Sequence, residues 1–361
     1  MMLVKADSIY APGKGFERGK SLLIHDETVE TVIDSFDVPR GAEVLTFTGL
    51  SLSPMFCDYH LHLLRDRVTD AQGTAYDLMK SGIGAVFEGG DNSGSGLEMR
   101  RILTEHLDIK TSGWALHKKG TYGKFIGKGA ADFTEAKSLI DQLYSSGIDY
   151  LKIINSGIFV PESGKLSEGG FKKDELGEIV AYAKGKGLPV WCHANGDRAI
   201  RDAVDAGASA IIHGFFVSDE TLAVMAEEEV KFIPTVVALR RLVKTTNDPA
   251  VTKRIERLVD AHLSAIKRAH DKGVRVLPGS DSGPSIIPYG TSYREELDLF
   301  RKAGFTREDI LSSAVTGRLS AGMRANFLVL DDLSIKKVFF RGGCLTLERP
   351  SKTDRNNLTA H

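Results

Sequence analysis

The sequence predicts an α/β protein in which a (β/α)8 barrel, or TIM barrel, is joined to a small β-sandwich-like domain built from both chain termini. Short apolar runs alternate with amphipathic, helix-length stretches through the middle of the 361-residue chain. Eight such runs occur without a glycine-rich phosphate-binding motif, which favours a barrel over an open doubly wound sheet. Both ends of the chain are instead rich in strand-forming segments.

The two chain ends share a pattern of short apolar segments separated by turn-forming residues. Because these ends flank a different pattern, we expect the termini to meet in one domain. We therefore predict a small β domain of residues 1–52 and 320–361 and a catalytic barrel of residues 53–319. The predicted terminal strands are Met2–Val4, Ser21–His25, Val29–Ile33, Glu43–Thr48, Asn326–Leu330 and Lys336–Phe340.

Between these ends, the alternation of strand and helix patterns predicts the repeating units of the barrel. The predicted strands are Ser53–His60, Gly84–Glu88, Ser112–Leu116, Tyr150–Ile154, Pro189–His193, Ala210–Gly214, Lys231–Thr235 and Arg275–Gly279. The predicted helices include Thr134–Ser146, Lys173–Lys186, Ala199–Ala206, Asp219–Glu229 and Pro249–Lys272.

Composition limits the classes of partner. The chain has 47 basic and 48 acidic residues and no basic stripe, which argues against nucleic acid and anionic membranes as partners. No apolar run approaches the roughly 20 residues of a membrane span, and the first residues lack a signal-peptide core. The three cysteines are far apart and indicate free thiols in a reducing compartment. We expect a cytoplasmic protein with a small-molecule partner.

The first predicted barrel strand ends in His60 and His62. Alternate residues of a strand point to the same side, so the two imidazoles could bind one metal ion. Two ordinary histidines at a strand end would give the same pattern, and the pair alone leaves both interpretations open.

Later strands add further candidate ligands. Catalytic groups of a (β/α)8 barrel lie at the C-terminal ends of its strands. Lys152 lies in the fourth predicted strand, His193 and His213 end the fifth and sixth, and Asp281 follows the eighth. With His60 and His62, these side chains would converge on one mouth. Nitrogen and oxygen donors without a thiolate cluster suit one or two divalent ions of the zinc class.

This set of residues resembles the amidohydrolase superfamily of metal-dependent hydrolases. The likeness is to its binuclear branch, which includes dihydroorotase, imidazolonepropionase and prolidase-like dipeptidases. It covers nearly the whole chain, including the run from Gly317 to Asp331 that returns to the small β domain. The chain departs from the family where Asn326 replaces an aspartate, and it lacks an Asn-Pro-Ala segment before Gly317.

The resemblance implies two divalent metal ions, one bound by His60, His62 and Asp281 and the other by His193 and His213. Lys152 would bridge them as a carbamate formed with carbon dioxide, because a lysine ammonium has no lone pair for a metal. An apolar strand favours the neutral amine that this reaction needs. The alternative is an unmodified strand lysine that pairs with a carboxylate.

The implied reaction is hydrolysis of a C–N bond in an amide, cyclic amide or peptide-like substrate that is small and polar. A hydroxide bridging the metal ions would attack, and Asp281 would act as general base and then general acid. One alternative is a mononuclear aminohydrolase that deaminates a nucleobase-like amine, which would not need Lys152. Another is a non-catalytic metal-binding barrel. The family also implies a homo-oligomer.

Five further residues are candidates for substrate contact. Arg65 follows the histidine pair, at a place similar to that of the dihydroorotase arginine that binds a substrate carboxylate, although a surface arginine fits equally well. The others follow strand ends or lie in nearby loops, where solvated side chains are also expected. They are His117, Tyr122, Arg240 and Tyr289.

Overall fold

A computed structural model describes residues 1–64 and 70–345, and it confirms the predicted α/β class. The strands are Met2–Ala11 (β1), Gly15–Arg18 (β2), Lys20–His25 (β3), Thr28–Asp34 (β4), Glu43–Pro54 (β5), Phe56–Leu61 (β6), Ile83–Glu88 (β7), Asp108–Thr111 (β8), Ala115–Lys118 (β9), Gly127–Ala130 (β10), Leu151–Ile154 (β11), Phe159–Val160 (β12), Lys165–Leu166 (β13), Val190–Ala194 (β14), Ala210–His213 (β15), Lys231–Ile233 (β16), Phe327–Asp331 (β17), Ser334–Phe340 (β18) and Gly343–Cys344 (β19).

The helices are Ala71–Lys80 (α1), Ser95–Ile102 (α2), Phe133–Ser145 (α3), Lys173–Gly185 (α4), Asp197–Asp205 (α5), Asp219–Glu227 (α6), Val236–Arg241 (α7), Pro249–Asp271 (α8), Thr291–Lys302 (α9) and Arg307–Ala314 (α10). A short 3-10 helix covers Leu242–Thr245. Within the described part of the chain, none of these helices combines the length and apolar character needed to cross a bilayer.

The first of two compact units contains Met1–Cys57, Gln72–Ala85 and the described residues from Thr306 onward. Its sheet has the order β19-β18-β17-β5-β1-β3-β4, with β2 paired to β1, so strands from both ends of the chain share one sheet. The stacked rings of Phe327 and Phe339 lie 4.5 Å apart in its core. The division into residues 1–52 with 320–361 and 53–319 stays a prediction, and residues 346–361 lie outside the described chain.

The second unit contains the described residues of Asp58–Ala71 and Val86–Phe305. Its six-stranded sheet has the order β10-β9-β11-β14-β15-β16, and neighbouring strands in this order are parallel. Strands β11, β14 and β15 are buried throughout, which explains their continuous apolar sequences. A further sheet has the order β6-β7-β8.

The eighth predicted strand, Arg275–Gly279, is not a regular strand. Pro278 has no N–H to donate to a ladder, so the pairing is interrupted there. The segment still makes backbone hydrogen bonds to two strands, β16 and β6. Leu277 N donates to Phe232 O of β16 at 2.8 Å, and Tyr59 N of β6 donates to Pro278 O at 3.0 Å.

Three other predicted strands are shorter or broken. The prediction Ser53–His60 is interrupted at Met55, because Ser53 and Pro54 end β5 and β6 starts at Phe56. The prediction Ser112–Leu116 is wrong because β8 ends at Thr111 and β9 starts at Ala115. Gly113 lies between them with a φ of +70°, a conformation that does not occur in regular strands. The prediction Lys231–Thr235 is too long, since β16 stops before Pro234 and Thr235 has a φ of +46°.

Candidate metal centre

Two histidines of β6 supply the first part of the site. His60 and His62 are buried, and their Nε2 atoms lie 3.3 and 3.5 Å from Oδ1 of Asp281. The Nδ1 atom of His62 lies 2.6 Å from the Gly90 carbonyl oxygen, which only accepts, so this nitrogen carries the proton. The lone pair of His62 therefore lies on Nε2, the atom that faces Asp281.

Gly89 makes room for both rings. A Cβ atom at this position would lie 2.6 Å from Cε1 of His60 and 2.9 Å from Cε1 of His62, and both distances are shorter than the ordinary contact range of 3.4–4 Å. The carboxylate of the buried Glu88 accepts a hydrogen bond from Gly90 N at 2.7 Å and so fixes the turn that follows β7. Sequence reasoning missed Gly89, because only its contacts with the histidines show why a side chain is excluded.

Lys152 of β11 lies beside His60. It is 1% exposed, and its Nζ lies 3.0 Å from Nε2 of His60. Across residues 1–64 and 70–345, no carboxylate oxygen is recorded within ion-pair distance of Nζ, which argues against an ordinary strand ion pair. Burial lowers the pKa of Lys152 to about 8, although the charge of Asp281 opposes this change. A neutral amine is therefore accessible near physiological pH.

His193 and His213 supply the other part of the site, and their ring centres are 4.5 Å apart. Nε2 of His193 lies 3.2 Å from the Gly157 carbonyl oxygen and 3.3 Å from Nδ2 of Asn195. If Nε2 donates to the carbonyl oxygen, Nδ1 keeps the lone pair. Nδ1 of His213 lies 2.7 Å from the Thr235 hydroxyl. If Nδ1 donates in this hydrogen bond, Nε2 of His213 is left to bind a cation.

The position of His213 depends on its backbone. In the register of β14 and β15, His193 pairs with Ile212 and Ala194 pairs with His213. Regular alternation would therefore place His213 on the opposite face from His193. The φ of +69° at His213 breaks this alternation, and its ring lies beside those of His193 and His60.

Burial keeps these imidazoles neutral. It lowers the pKa of His62 and His193 to about 4 and holds the pKa of His60 and His213 well below the ordinary value. Burial also raises the pKa of Asp281, against the opposing influence of His62. Neutral imidazole is the form that binds a metal ion, so no proton has to be displaced from these rings at neutral pH.

The donor set fits a divalent cation. The possible ligand atoms of His60, His62 and Asp281 all lie within 4.8 Å of one another. Imidazole nitrogen with carboxylate oxygen is a ligand combination suited to zinc and related ions. His60 also lies next to Lys152 and His213, and His213 lies next to His193. The structure therefore brings all six predicted ligand residues together.

Asp58 joins the two segments that carry this group. Its carboxylate accepts hydrogen bonds from the hydroxyl of Ser280 at 2.5 Å and from the backbone N–H of Ser280 and His60 at 2.9 and 3.2 Å. Asp58 therefore positions the backbone of His60, rather than its imidazole. Asp281 N donates to His60 O at 2.6 Å, which closes the connection.

The predicted substrate residues differ in whether they lie beside the candidate ligands. The Tyr122 ring lies 5.6 Å from that of His193. The Tyr289 hydroxyl donates to His62 O at 2.6 Å, which positions β6. His117 is buried, and its Nδ1 lies 2.9 Å from Lys118 O. Arg240 is exposed on α7, and Arg65 lies outside the described residues.

A cavity of about 230 Å³ opens beside the candidate ligands His193, His213 and Asp281. Tyr122 lines it, whereas His117, Arg240 and Tyr289 are not among the described lining residues. Most of the wall comes from loops and from the first turn of α7, which sequence patterns do not assemble. Its apolar members include Ile158, Phe159, Phe215, Leu239, Leu242 and Ile287.

Comparisons with known proteins identify the family of this chain. The model of the amidohydrolase family matches residues 51–346. Ochratoxinase of Aspergillus niger is 22% identical over 208 residues, which cover 53% of this chain and 42% of ochratoxinase. The matched regions cover 42% of ochratoxinase and 39% of a second relative, from Mycobacterium bovis. The chain therefore spans about two fifths of the length of these curated relatives.

Solved structures share the fold over nearly all of the matched length. An Xaa-Pro dipeptidase with bound methionine in its active site has a TM-score of 0.79 at 18% identity, covering 95% of this chain and 99% of that chain. Phenylurea hydrolase B has a TM-score of 0.76 at 15% identity, covering 100% and 98%. The family match over residues 51–346 confirms the prediction from the motifs: the chain belongs to the amidohydrolase family.

Proposed function

We propose that this protein is a metal-dependent hydrolase of C–N bonds in amides, cyclic amides or peptide-like substrates. The observation that carries the proposal is the grouping of His60, His62 and Asp281 ligand atoms within 4.8 Å, with Lys152 Nζ 3.0 Å from His60. Two structural relatives, a dipeptidase and a phenylurea hydrolase, are named for substrates that contain C–N bonds.

His60, His62 and Asp281 would hold one divalent ion of the zinc class, and His193 and His213 a second. A carboxylated Lys152 would link the two sites, which requires carbon dioxide. When bound, such ions supply Lewis-acid polarisation of a carbonyl and lower the pKa of water. The deaminase alternative is disfavoured because it does not require a lysine, whereas Lys152 lies against His60.

The residues of the chain would position the substrate and move the proton. The Asp281 side chain is 20% exposed and lines the cavity, so it can contact both substrate and attacking water. Burial raises its pKa, which makes the carboxylate a better proton acceptor than an exposed aspartate. Asp281 would accept the proton of the attacking water and return it to the leaving nitrogen.

We also propose that the second unit is a closed (β/α)8 barrel. Segment 275–282 supports this, since its backbone contacts β16 through Leu277 and β6 through Pro278 and Asp281. The homo-oligomeric state and the cytoplasmic location stay predictions from the sequence.

The proposed function is tested by metal analysis combined with turnover of an amide, cyclic-amide and dipeptide panel. We expect the purified protein to contain a divalent metal, to lose activity on chelation and to regain it with zinc-class ions. Asp281→Asn should reduce kcat by at least about 100-fold, the scale of one general acid–base group. Full activity of a metal-free preparation, or of Asp281→Asn, would overturn the proposal.

A further inference from the structure

The cavity beside the candidate ligands differs from that expected for a polar substrate. Its volume is about 230 Å³, below the roughly 300–1,000 Å³ of sites for drug-sized molecules. This volume suits one aromatic ring or a short branched chain. Asp281, His193 and His213 are among its lining residues, so a group bound there would be adjacent to the reacting bond.

The rest of the described wall is mainly apolar. Among the described lining residues there is no lysine or arginine. Asn195, a polar member of the wall, is already hydrogen-bonded, because its Oδ1 accepts from Phe215 N at 3.1 Å and its Nδ2 lies 3.3 Å from Gly157 O. Apart from the proposed metal ions, the described walls of this cavity offer a substrate carboxylate no cationic side chain in exchange for the water it would lose.

Arg241 of α7 is occupied by interactions within the protein. Arg241 is 7% exposed, and its guanidinium pairs with Glu295 and donates to the Ile286 carbonyl oxygen at 3.0 Å. Ile286 lines the cavity, so the hydrogen bond from Arg241 fixes the position of a lining residue. Its charge is already neutralised by Glu295.

Exposed apolar side chains lie next to the cavity. Ile158 is 38% exposed and lines it, and Phe216 is 47% exposed with its ring 6.3 Å from that of Phe159, another lining residue. Phe216 also has a φ of +66°, a conformation that non-glycine residues rarely adopt. Exposed apolar groups around a concave site are typical of a surface that binds an apolar ligand.

We propose that this cavity binds an uncharged apolar group, either a single aromatic ring or a short aliphatic chain, attached next to the scissile C–N bond. The inference rests on the proposed function and replaces the polar substrate predicted from the sequence with one that carries an apolar group. The Tyr122 hydroxyl, which has no recorded hydrogen-bond partner among residues 1–64 and 70–345, is available for a polar atom of the substrate near the reacting bond.

The test uses two matched pairs of amides, because the group in the cavity could belong to either side of the bond. One pair has a hexanoyl or a glutaryl group on a common amine, and the other has an isobutyl or a carboxymethyl group on a common acyl group. We expect kcat/KM to be at least tenfold higher for the apolar member of at least one pair. Equal or faster hydrolysis of the carboxylate member in both pairs would overturn the inference.

Binding provides a readout that does not depend on turnover. Calorimetry should show that phenylacetamide binds the full-length protein at least tenfold more tightly than glutaric acid monoamide. Leu242→Arg should reverse this order, because Leu242 is a half-buried lining residue and the new cation would face the cavity. The matched control Ile102→Arg adds the same charge at a 47% exposed position on α2 and should leave the order unchanged.

The two proposals fail in different ways. Absence of turnover with every amide, despite tighter binding of phenylacetamide, would refute the proposed function and keep the apolar cavity. Tighter binding of glutaric acid monoamide by the unaltered protein would refute the apolar cavity, whatever the turnover.

Discussion

Gly89→Ala is the most direct test of how the candidate site is built. The change adds one methyl group at a position whose φ is outside the left-handed region, so alanine can adopt the backbone conformation. The cost is therefore steric. The new Cβ would lie 2.6 Å from Cε1 of His60, which is 0.8 Å short of the 3.4 Å limit of ordinary contact.

The required displacement sets the size of the effect. Functional groups have to stay within about 0.5 Å of their productive geometry. Moving His60 by 0.8 Å exceeds this tolerance, and a misplacement of about 1 Å can cost roughly 100-fold in rate. Overpacking of a buried region also costs about 1–3 kcal/mol in the free energy of unfolding. We expect Gly89→Ala to weaken metal binding, to lower kcat/KM about 100-fold and to destabilise the fold within that range.

Gly177→Ala is the matched control. Gly177 lies inside α4, and a Cβ there would meet no atom within 4 Å. The same substitution should therefore stabilise this helix by about 0.5–1 kcal/mol and leave the candidate metal centre unchanged. Urea unfolding, metal affinity from chelator competition, and kcat/KM are measured for both variants. The reasoning is refuted if Gly89→Ala keeps normal metal affinity and activity.

Three further predictions follow from individual side chains. Lys152→Ala should lose activity that short carboxylic acids partly restore, since they replace the bridging carbamate; unchanged activity of the variant would contradict this role. Thr235→Val removes the hydroxyl 2.7 Å from His213 Nδ1 and should weaken metal binding about 10–100-fold, and unaltered affinity would argue against that orienting bond. Burial raises the pKa of Glu296 from 4.5 to about 8, so the folded state retains a proton that the unfolded chain releases. Stability should therefore fall as pH rises between these values, by up to about 1.4 kcal/mol per pH unit. Glu296→Gln should reduce this slope in urea unfolding measured from pH 5 to 8, and an identical slope would show that Glu296 is already ionised.

Sequence patterns predicted much of the second unit because parallel strands buried on both faces are continuous apolar runs. β11, β14 and β15 were found within a residue or two of their predicted bounds. The pattern failed where one residue decides the backbone, as at Gly113 between β8 and β9 and at Pro278 in the eighth predicted strand. The cavity walls were also missed, because Ile158, Leu242 and Ile287 come from separate loops and turns that no periodicity connects.

The same limit applies at the centre of the site, where three residues that are not glycine have a positive φ. They are His213 at +69°, Thr235 at +46° and Asp281 at +54°. Each such conformation costs of order 1–3 kcal/mol and persists only where the surrounding structure enforces it. For Thr235, the enforcing contacts are visible, since the buried Glu296 accepts hydrogen bonds from Val236 N at 3.0 Å and Val237 N at 2.7 Å. The sequence predicts that these residues lie at strand ends, but it does not predict the backbone conformation that orients their side chains. The left-handed backbone turns His213 towards His193, and the Thr235 hydroxyl lies 2.7 Å from His213 Nδ1. The grouping of candidate ligands therefore also depends on residues such as Glu296, which acts through the backbone that follows Thr235.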